Sequence, residues 1–251
     1  MKKLFVLLFL MLGGLWAQPT GQALLQKMED LQKFDTDMHS MVTLTQQKPE
    51  QGNKTMRMSF YRRDSDNSFL IHIQSPESDR GNGYLRVDNH MWMYRRNTRA
   101  FQHINRDESI GGTNARAHDF ETRNLVDTYQ VQKNTDGSEK ISEEVLGKIP
   151  VYKVHIQAIV RDVDYPIKIW WIEKSSNLLL KEEAYSANKT LMHSVFFTQY
   201  TQVGKHFMPV KQLFIDEFEK GNKTLMEVKE ISTKKIPNHI FTKAHLESLS
   251  K

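Results

Sequence analysis

The sequence predicts an α+β fold in which a highly curved antiparallel sheet carries helices against one face. Three observations predict it. Apolar and polar residues alternate with period two along most of the chain from Met41 to Thr233, as strands with one buried face do. The connections between these runs are short and polar, leaving no room for the crossover helices that a parallel sheet requires. One amphipathic segment precedes the strands, and one long stretch between two halves breaks the alternation.

The amphipathic segment starts at Thr20, a suitable N-cap, and puts Leu24, Met28 and Leu31 on one face beside Leu25, with Phe34 near its end. Strands are expected over Met41–Gln46, Lys54–Arg62, Ser68–Gln74, Gly83–Val87, His90–Arg95 and Arg99–Ile104. The turns Asp88-Asn89 and Arg96-Asn97-Thr98 join neighbouring antiparallel strands. In the second half six longer strands are expected: Val151–Ile159, Pro166–Glu173, Leu178–Tyr185, Thr190–Tyr200, His206–Phe218 and Thr224–Thr233. About twelve strands result. Between the halves, Asn105 to about Ser138 does not alternate, and Phe120, Leu125 and Tyr129 recur there at irregular helical spacing. Long connections of this kind serve as lids or binding loops, or are plain surface excursions. A short helix over Asn238–Leu249 closes the chain.

At 251 residues folding buries roughly 70% of the unfolded surface, so one core suffices. The absence of cysteine excludes a disulfide framework, thiol nucleophiles, cysteine-ligated metals and an N-terminal lipid-modified cysteine. A mean hydropathy of −0.59 excludes a polytopic membrane protein. The N-terminus reads as a secretory signal: Lys2 and Lys3, the apolar run Leu4–Leu12, then Gly13, Gly14 and Leu15-Trp16-Ala17. Residues 1–17 are expected to be removed after Ala17, leaving one domain over 18–251 with formal charge 33 − 30 = +3. An uncleaved anchor is the competing reading, but the run is shorter than the roughly 20 residues that span a bilayer. A short Lys-Lys signal on a cysteine-free chain suggests the bacterial periplasm.

Enzyme signatures are absent from the sequence. There is no HExxH, GxSxG or Walker lysine, and the histidines on strands stand singly. Gly81-Asn82-Gly83 precedes a strand and has Arg86 where a dinucleotide fingerprint needs its third glycine, so it reads as a turn. The Asn-Lys-Thr triplets at Asn53, Asn188 and Asn222 are formal glycosylation acceptors that read better as turns leading into strands. The expectation is a protein that is not an enzyme and needs neither metal nor cofactor.

Two compositional features carry more. Of 12 arginines, 11 fall between Arg57 and Arg123, a stretch without lysine; its nine carboxylates leave +2, too little for nucleic-acid binding. Met56 and Met58 share one strand face, as do Met91 and Met93. Methionine is flexible and suits walls that accept variable apolar ligands, although plain core packing uses it too.

The run Gly81-Asn82-Gly83-Tyr84-Leu85-Arg86-Val87-Asp88-Asn89-His90-Met91-Trp92-Met93-Tyr94, with Pro76 before it, resembles the bacterial outer-membrane lipoprotein-sorting protein family, the LolA/LolB-like periplasmic carriers. Tyr165-Pro166, Ile169–Glu173, Leu178–Tyr185, Lys205–Pro209 and Phe241–Leu246 follow in the family's order. The resemblance implies an incomplete, half-open antiparallel β-barrel with helices over its concave face and an apolar cavity between them. It also implies a periplasmic monomer that carries acyl chains of lipids or lipoproteins between an inner-membrane exporter, of ABC or RND type, and the outer membrane. Contact with membrane proteins would be transient, and no nucleic acid is involved. The cavity wall would draw on Met56, Met58, Phe60, Phe69, Ile71, Met91, Trp92, Met93 and Tyr94. Strand alternation forbids Trp92 and Tyr94 from sharing a face with Met91 and Met93, so part of that set must point away. Phe120 and Leu125 would belong to the lid. Arg62 and Arg63 stand near the family's lid-holding arginine, but the proline that follows it there is absent, as are the residues of its Met-Gly-Ser segment. The alternative is an accessory module that docks to an envelope exporter, its barrel filled by its own side chains.

Overall fold

The computed structural model describes residues 19–49, 51–121 and 124–250; the expected signal segment and its cleavage point lie outside them. The first element is helix α1 (Gly21–Gln32), opened by Thr20, whose Oγ1 accepts from Ala23 N at 3.2 Å. Leu24, Leu25 and Met28 form its buried stripe. Six strands follow: β1 (Met38–Lys48), β2 (Gly52–Arg63), β3 (Ser68–Ser75), β4 (Gly83–Val87), β5 (His90–Arg95) and β6 (Ala100–His103). The expected strands sit in place, with β1 and β2 a few residues longer.

The connecting stretch folds less regularly than its spacing suggests. It contains 3-10 turns at Ile110–Gly112 and Ala117–Phe120, and one helical turn, α2 (Leu125–Thr128). Two further strands then appear, β7 (Tyr129–Val131) and β8 (Ile141–Leu146), so the described residues hold fourteen strands rather than twelve. The alternation of β8 is hard to see because it is an outer strand whose side chains are all at least partly exposed. The remaining strands are β9 (Ile149–Ala158), β10 (Ile167–Glu173), β11 (Leu179–Tyr185), β12 (Leu191–Val203), β13 (His206–Asp216) and β14 (Lys223–Ser232). The expected terminal helix divides into a 3-10 turn, Asn238–Phe241, and α3 (Lys243–Ser248), which Thr242 caps by accepting from His245 N at 3.2 Å.

All strands join one antiparallel sheet in the order β6-β5-β4-β3-β2-β1-β14-β13-β12-β11-β10-β9-β7, with β8 also on the outer side of β9. The two halves are joined at the centre, where β1 pairs with β14 through Leu44 opposite Met226. The sheet does not close: β6 ends one edge, and β7 and β8 end the other. This is the half-open barrel expected.

Each face of the sheet has its own apolar cluster. The larger one, on the concave face, runs from Met56, Phe69 and Met91 in the first half to Ile156, Trp170 and Phe214 in the second, with α1 and the connecting stretch packed into it. The smaller lies on the convex face of the first half, where Leu70, Leu85 and Tyr94 pack against Ile236, Phe241 and Leu246 of the C-terminal segment. Helices therefore cover both faces rather than the concave one alone. Gly83 shows how closely the outer cover sits: a Cβ there would lie 2.4 Å from the Ile71 carbonyl oxygen and 2.6 Å from Leu246 Cδ1.

Candidate functional site

The candidate site is the concave face beneath α1 and the connecting stretch. Met56, Met58, Phe60, Phe69, Ile71 and Met91 are all buried there, and Met93 packs against them from a partly exposed position. Trp92 and Tyr94 are the exceptions. They point to the convex side, Tyr94 within the outer cluster and Trp92 at its margin, so they do not line the concave wall. The register explains it: Trp92 pairs with Leu85 and Met93 with Tyr84, and these pairs project to opposite sides.

Phe120 and Leu125 come down onto this face, each 4% exposed, and the Phe120 ring meets Phe60 edge-on at 5.2 Å between centroids. The two arginines separate. Arg62 faces inward and its guanidinium reaches the end of α1: Nη2 donates to the Gln32 carbonyl at 3.2 Å and to Asp64 at 2.7 Å, and the group sits 5.2 Å from the Phe34 ring centre. Arg63 faces outward, bonding Asp37 at 3.0 and 3.1 Å, Asn238 at 2.9 Å and the Ile236 carbonyl. Burial opposes ionisation of Asp37, but Arg63 and the Ile236 N–H outweigh it and hold the carboxyl below its ordinary range. Arg62 thus fastens the inner cover and Arg63 the outer one.

Polar ties hold α1 at both ends, while its middle rests on apolar contact. Gly21 N donates to Glu139 at 2.6 Å, Glu29 accepts from Val126 N at 3.2 Å, and Phe34 N donates to Asp64 at 2.8 Å. The connecting stretch is pinned by Glu121, which pairs with Arg86 and, at 3.0 Å, with Arg106. Glu121 and Arg86 are both buried, a site where loss of one partner strands a charge. Beneath α1 and the connecting stretch lies a cleft of about 60 Å³ walled by Val42, Phe60, Phe197, Met208, Met226 and Val228, with Arg62 and Glu121 also lining it.

On the other side of Glu121 is a polar cleft of about 80 Å³ that includes Arg106, His118, Asp164, Lys168 and Glu182. Its charges are paired: His118 with Asp164 at 3.1 Å, and Lys168 with Glu182 at 3.0 Å. The His118 bond lowers the Asp164 carboxyl against its burial, and burial pushes the Tyr165 phenol up to about 12. Trp170 Nε1 also donates to Glu182, at 2.7 Å. The His118–Asp164 pair ties the connecting stretch to the second half, whereas the contacts of Glu182 join β10 to β11. Among the described residues no group of three His, Cys, Asp or Glu side chains is placed to hold a metal.

A family model described as "Uncharacterized protein" matches residues 65–248. No curated protein matches the sequence. Several solved structures are similar across nearly the whole chain. A LolA superfamily protein from Nitrosomonas europaea is 17% identical, with TM-score 0.75, covering 91% of this chain and 100% of its own. A putative outer membrane lipoprotein-sorting protein domain from Vibrio parahaemolyticus is 15% identical, with TM-score 0.76 and coverage of 90% and 98%. A DUF1329 family protein from Desulfovibrio piger is 18% identical, with TM-score 0.76 and coverage of 90% and 97%. At these identities the likeness is one of fold: the sheet is of the LolA type.

Proposed function

The chain belongs to the family whose model spans residues 65–248, and from that premise and its LolA-like fold we propose that it is a periplasmic carrier of acyl chains. It takes them from a lipid or lipoprotein onto its concave face and releases them to another membrane. Its role is binding rather than catalysis, its source an inner-membrane exporter, its destination the outer membrane. One observation carries the reading: most of the concave face is apolar, and what covers it is a single helix and an irregular segment that add only a few side-chain polar ties to their apolar contact.

The cover must move. A cleft of about 60 Å³ holds a few waters, far below the roughly 300–1,000 Å³ of ordinary ligand pockets. Magnitudes favour exchange. Burying Leu24, Leu25 and Met28 contributes about 2 kcal/mol each, so releasing α1 costs about 6 kcal/mol of apolar burial. An acyl chain returns about 0.8 kcal/mol per buried methylene, so about eight methylenes offset it. A membrane acyl chain is longer than that.

The purified protein, prepared without detergent and exposed to bacterial lipid extract, is expected to carry a lipid adduct in native mass spectra that is lost on denaturation. A clean unliganded mass under both conditions rejects the carrier. The small cleft also favours a second reading, an accessory module that docks to an exporter with its barrel filled by its own side chains; the unliganded result would select it.

A further inference from the structure

The concave face is not apolar from end to end. On four adjacent strands the residues that wall the apolar cleft give way, toward the β13–β14 turn, to polar ones. Val42 is followed inward-facing by Leu44 and then Gln46 on β1; Val228 and Met226 give way to Thr224 on β14; Phe214 leads to Asp216 on β13; and Phe197 and Val195 lead to His193 on β12. Gln46 lies directly opposite Thr224, and His193 opposite Asp216. From Val42 to Gln46 the strand advances roughly 14 Å.

Of these end residues, Gln46, Asp216 and His193 wall a third pocket, of about 200 Å³. It is built rather than incidental. Asp216 Oδ1 accepts from the N–H groups of Phe218 and Glu219 at 2.8 and 3.0 Å, and Oδ2 from the Asn114 and Asn222 amides at 3.2 and 3.3 Å. Asn114 and Thr224 exchange two hydrogen bonds, at 3.0 and 2.9 Å, tying the connecting stretch to the pocket. Gln46, Asn222, Thr224 and His193 are all buried, although all are polar. His193 Nε2 is buried without a hydrogen-bond partner, a costly state for a polar group.

Charge decides what fits. Lys48 and Arg116 balance Asp216 and Glu219 around the pocket, and burial keeps His193 below its ordinary pKa and so neutral. A net-neutral pocket dense in amides, carboxylates and a guanidinium offers paired donors and acceptors to a group with several hydroxyls, and no surplus charge to an ion. At the mouth stands Phe218, 64% exposed, an apolar face against which the C–H side of a sugar ring can lie.

We propose that this pocket receives an uncharged glycosyl headgroup, with the acyl chain of the same molecule running from it along the concave face. The inference rests on the carrier reading and narrows its cargo to neutral glycolipids. Binding of decyl glucoside, decyl phosphocholine and free glucose to the full chain, by calorimetry below micelle-forming concentration, tests it. The glucoside is expected to bind at least tenfold more tightly than the phosphocholine of equal chain length. Phe218→Ala, which removes no core contact, should erase that difference and leave phosphocholine binding unchanged. Equal binding of the two amphiphiles by the unmodified protein, or an equal loss of both in the variant, overturns the headgroup site while the carrier reading stands. Binding of free glucose as tight as that of the glucoside would make the pocket a soluble-sugar site and overturn the cargo assignment. Binding of neither amphiphile removes the carrier reading and the proposal with it.

Discussion

Neighbouring residues on a strand serve opposite sides of this molecule, and Arg62 and Arg63 show it most plainly. The sequence placed both near a lid, and alternation alone sends one to α1 and the other to the C-terminal segment. The same rule separates Met91 and Met93 from Trp92 and Tyr94. Which set faces inward was not legible, because both faces of β5 are apolar and the covering segment 233–250 lies far off in sequence. His155 illustrates a residue-scale effect of pH. It lies on β9 and is flanked by Lys140 and Lys153, with Glu144 and Glu183 opposing them; burial first, then the two lysines, push its pKa down to about 4. A depressed histidine favours folding fully above its unfolded value of about 6.5. That contribution is lost as pH falls from there toward 4. In urea melts at pH 7.5 and 4.5, His155→Gln is expected to lose less stability on acidification than the unmodified protein. Equal losses would show that the histidine does not sense this change.

At the scale of elements, the strands were readable because period two persists through them, and α1 because Thr20 and its apolar stripe mark it. The connecting stretch was not. Its turns take their shape from distant partners, such as Tyr84, whose hydroxyl accepts from Gly111 N at 2.9 Å, and Thr224 against Asn114. Gly111 has φ +61°, and a Cβ there would lie 2.0 Å from Met56 Cε, so no local pattern announces it. The C-terminal segment is an element of the same kind, held by Arg63 at its start and by Ser250, whose hydroxyl donates to the Gly81 carbonyl at 2.5 Å, at its end. Leu246, fully buried between them, is its main apolar anchor. Leu246→Ala should cost about 2–5 kcal/mol and expose the outer cluster, read as a lower unfolding midpoint with stronger binding of a hydrophobic dye. An unchanged midpoint would show that the segment contributes no stability.

For the molecule as a whole, the order of strands places the most secure pairing in the middle. β1, β2 and β14 are long and paired on both sides, whereas α1 and residues 105–121 share no strand ladder with the sheet beneath them and hold to it by apolar packing and a few polar ties. Amide hydrogen exchange should therefore be slowest in β1, β2 and β14 and markedly faster in α1 and residues 105–121, by two orders of magnitude or more. Uniform protection across these segments would mean that the cover opens only with global unfolding. Part of the candidate apolar wall was legible from sequence, since Met56, Met58 and Phe60 on β2 and Phe69 and Ile71 on β3 recur with period two, whereas the inward face of β5 was not. The polar pocket was not, because Gln46 and Asn114 reach His193, Asp216 and Asn222 only when distant parts of the chain meet.

The unclosed sheet has a mechanical consequence. A sealed barrel has a circumference fixed by its ladder of hydrogen bonds, and widening it means breaking a seam. Here β6 and the β7–β8 edge are not joined, so the curvature can relax by small changes of twist spread over many strands, with every existing bond kept. No disulfide restrains that motion. Such a shell behaves as a spring clip, its grip set by how far the two free margins are pushed apart, and the girth of what it holds becomes a continuous variable rather than a fixed fit.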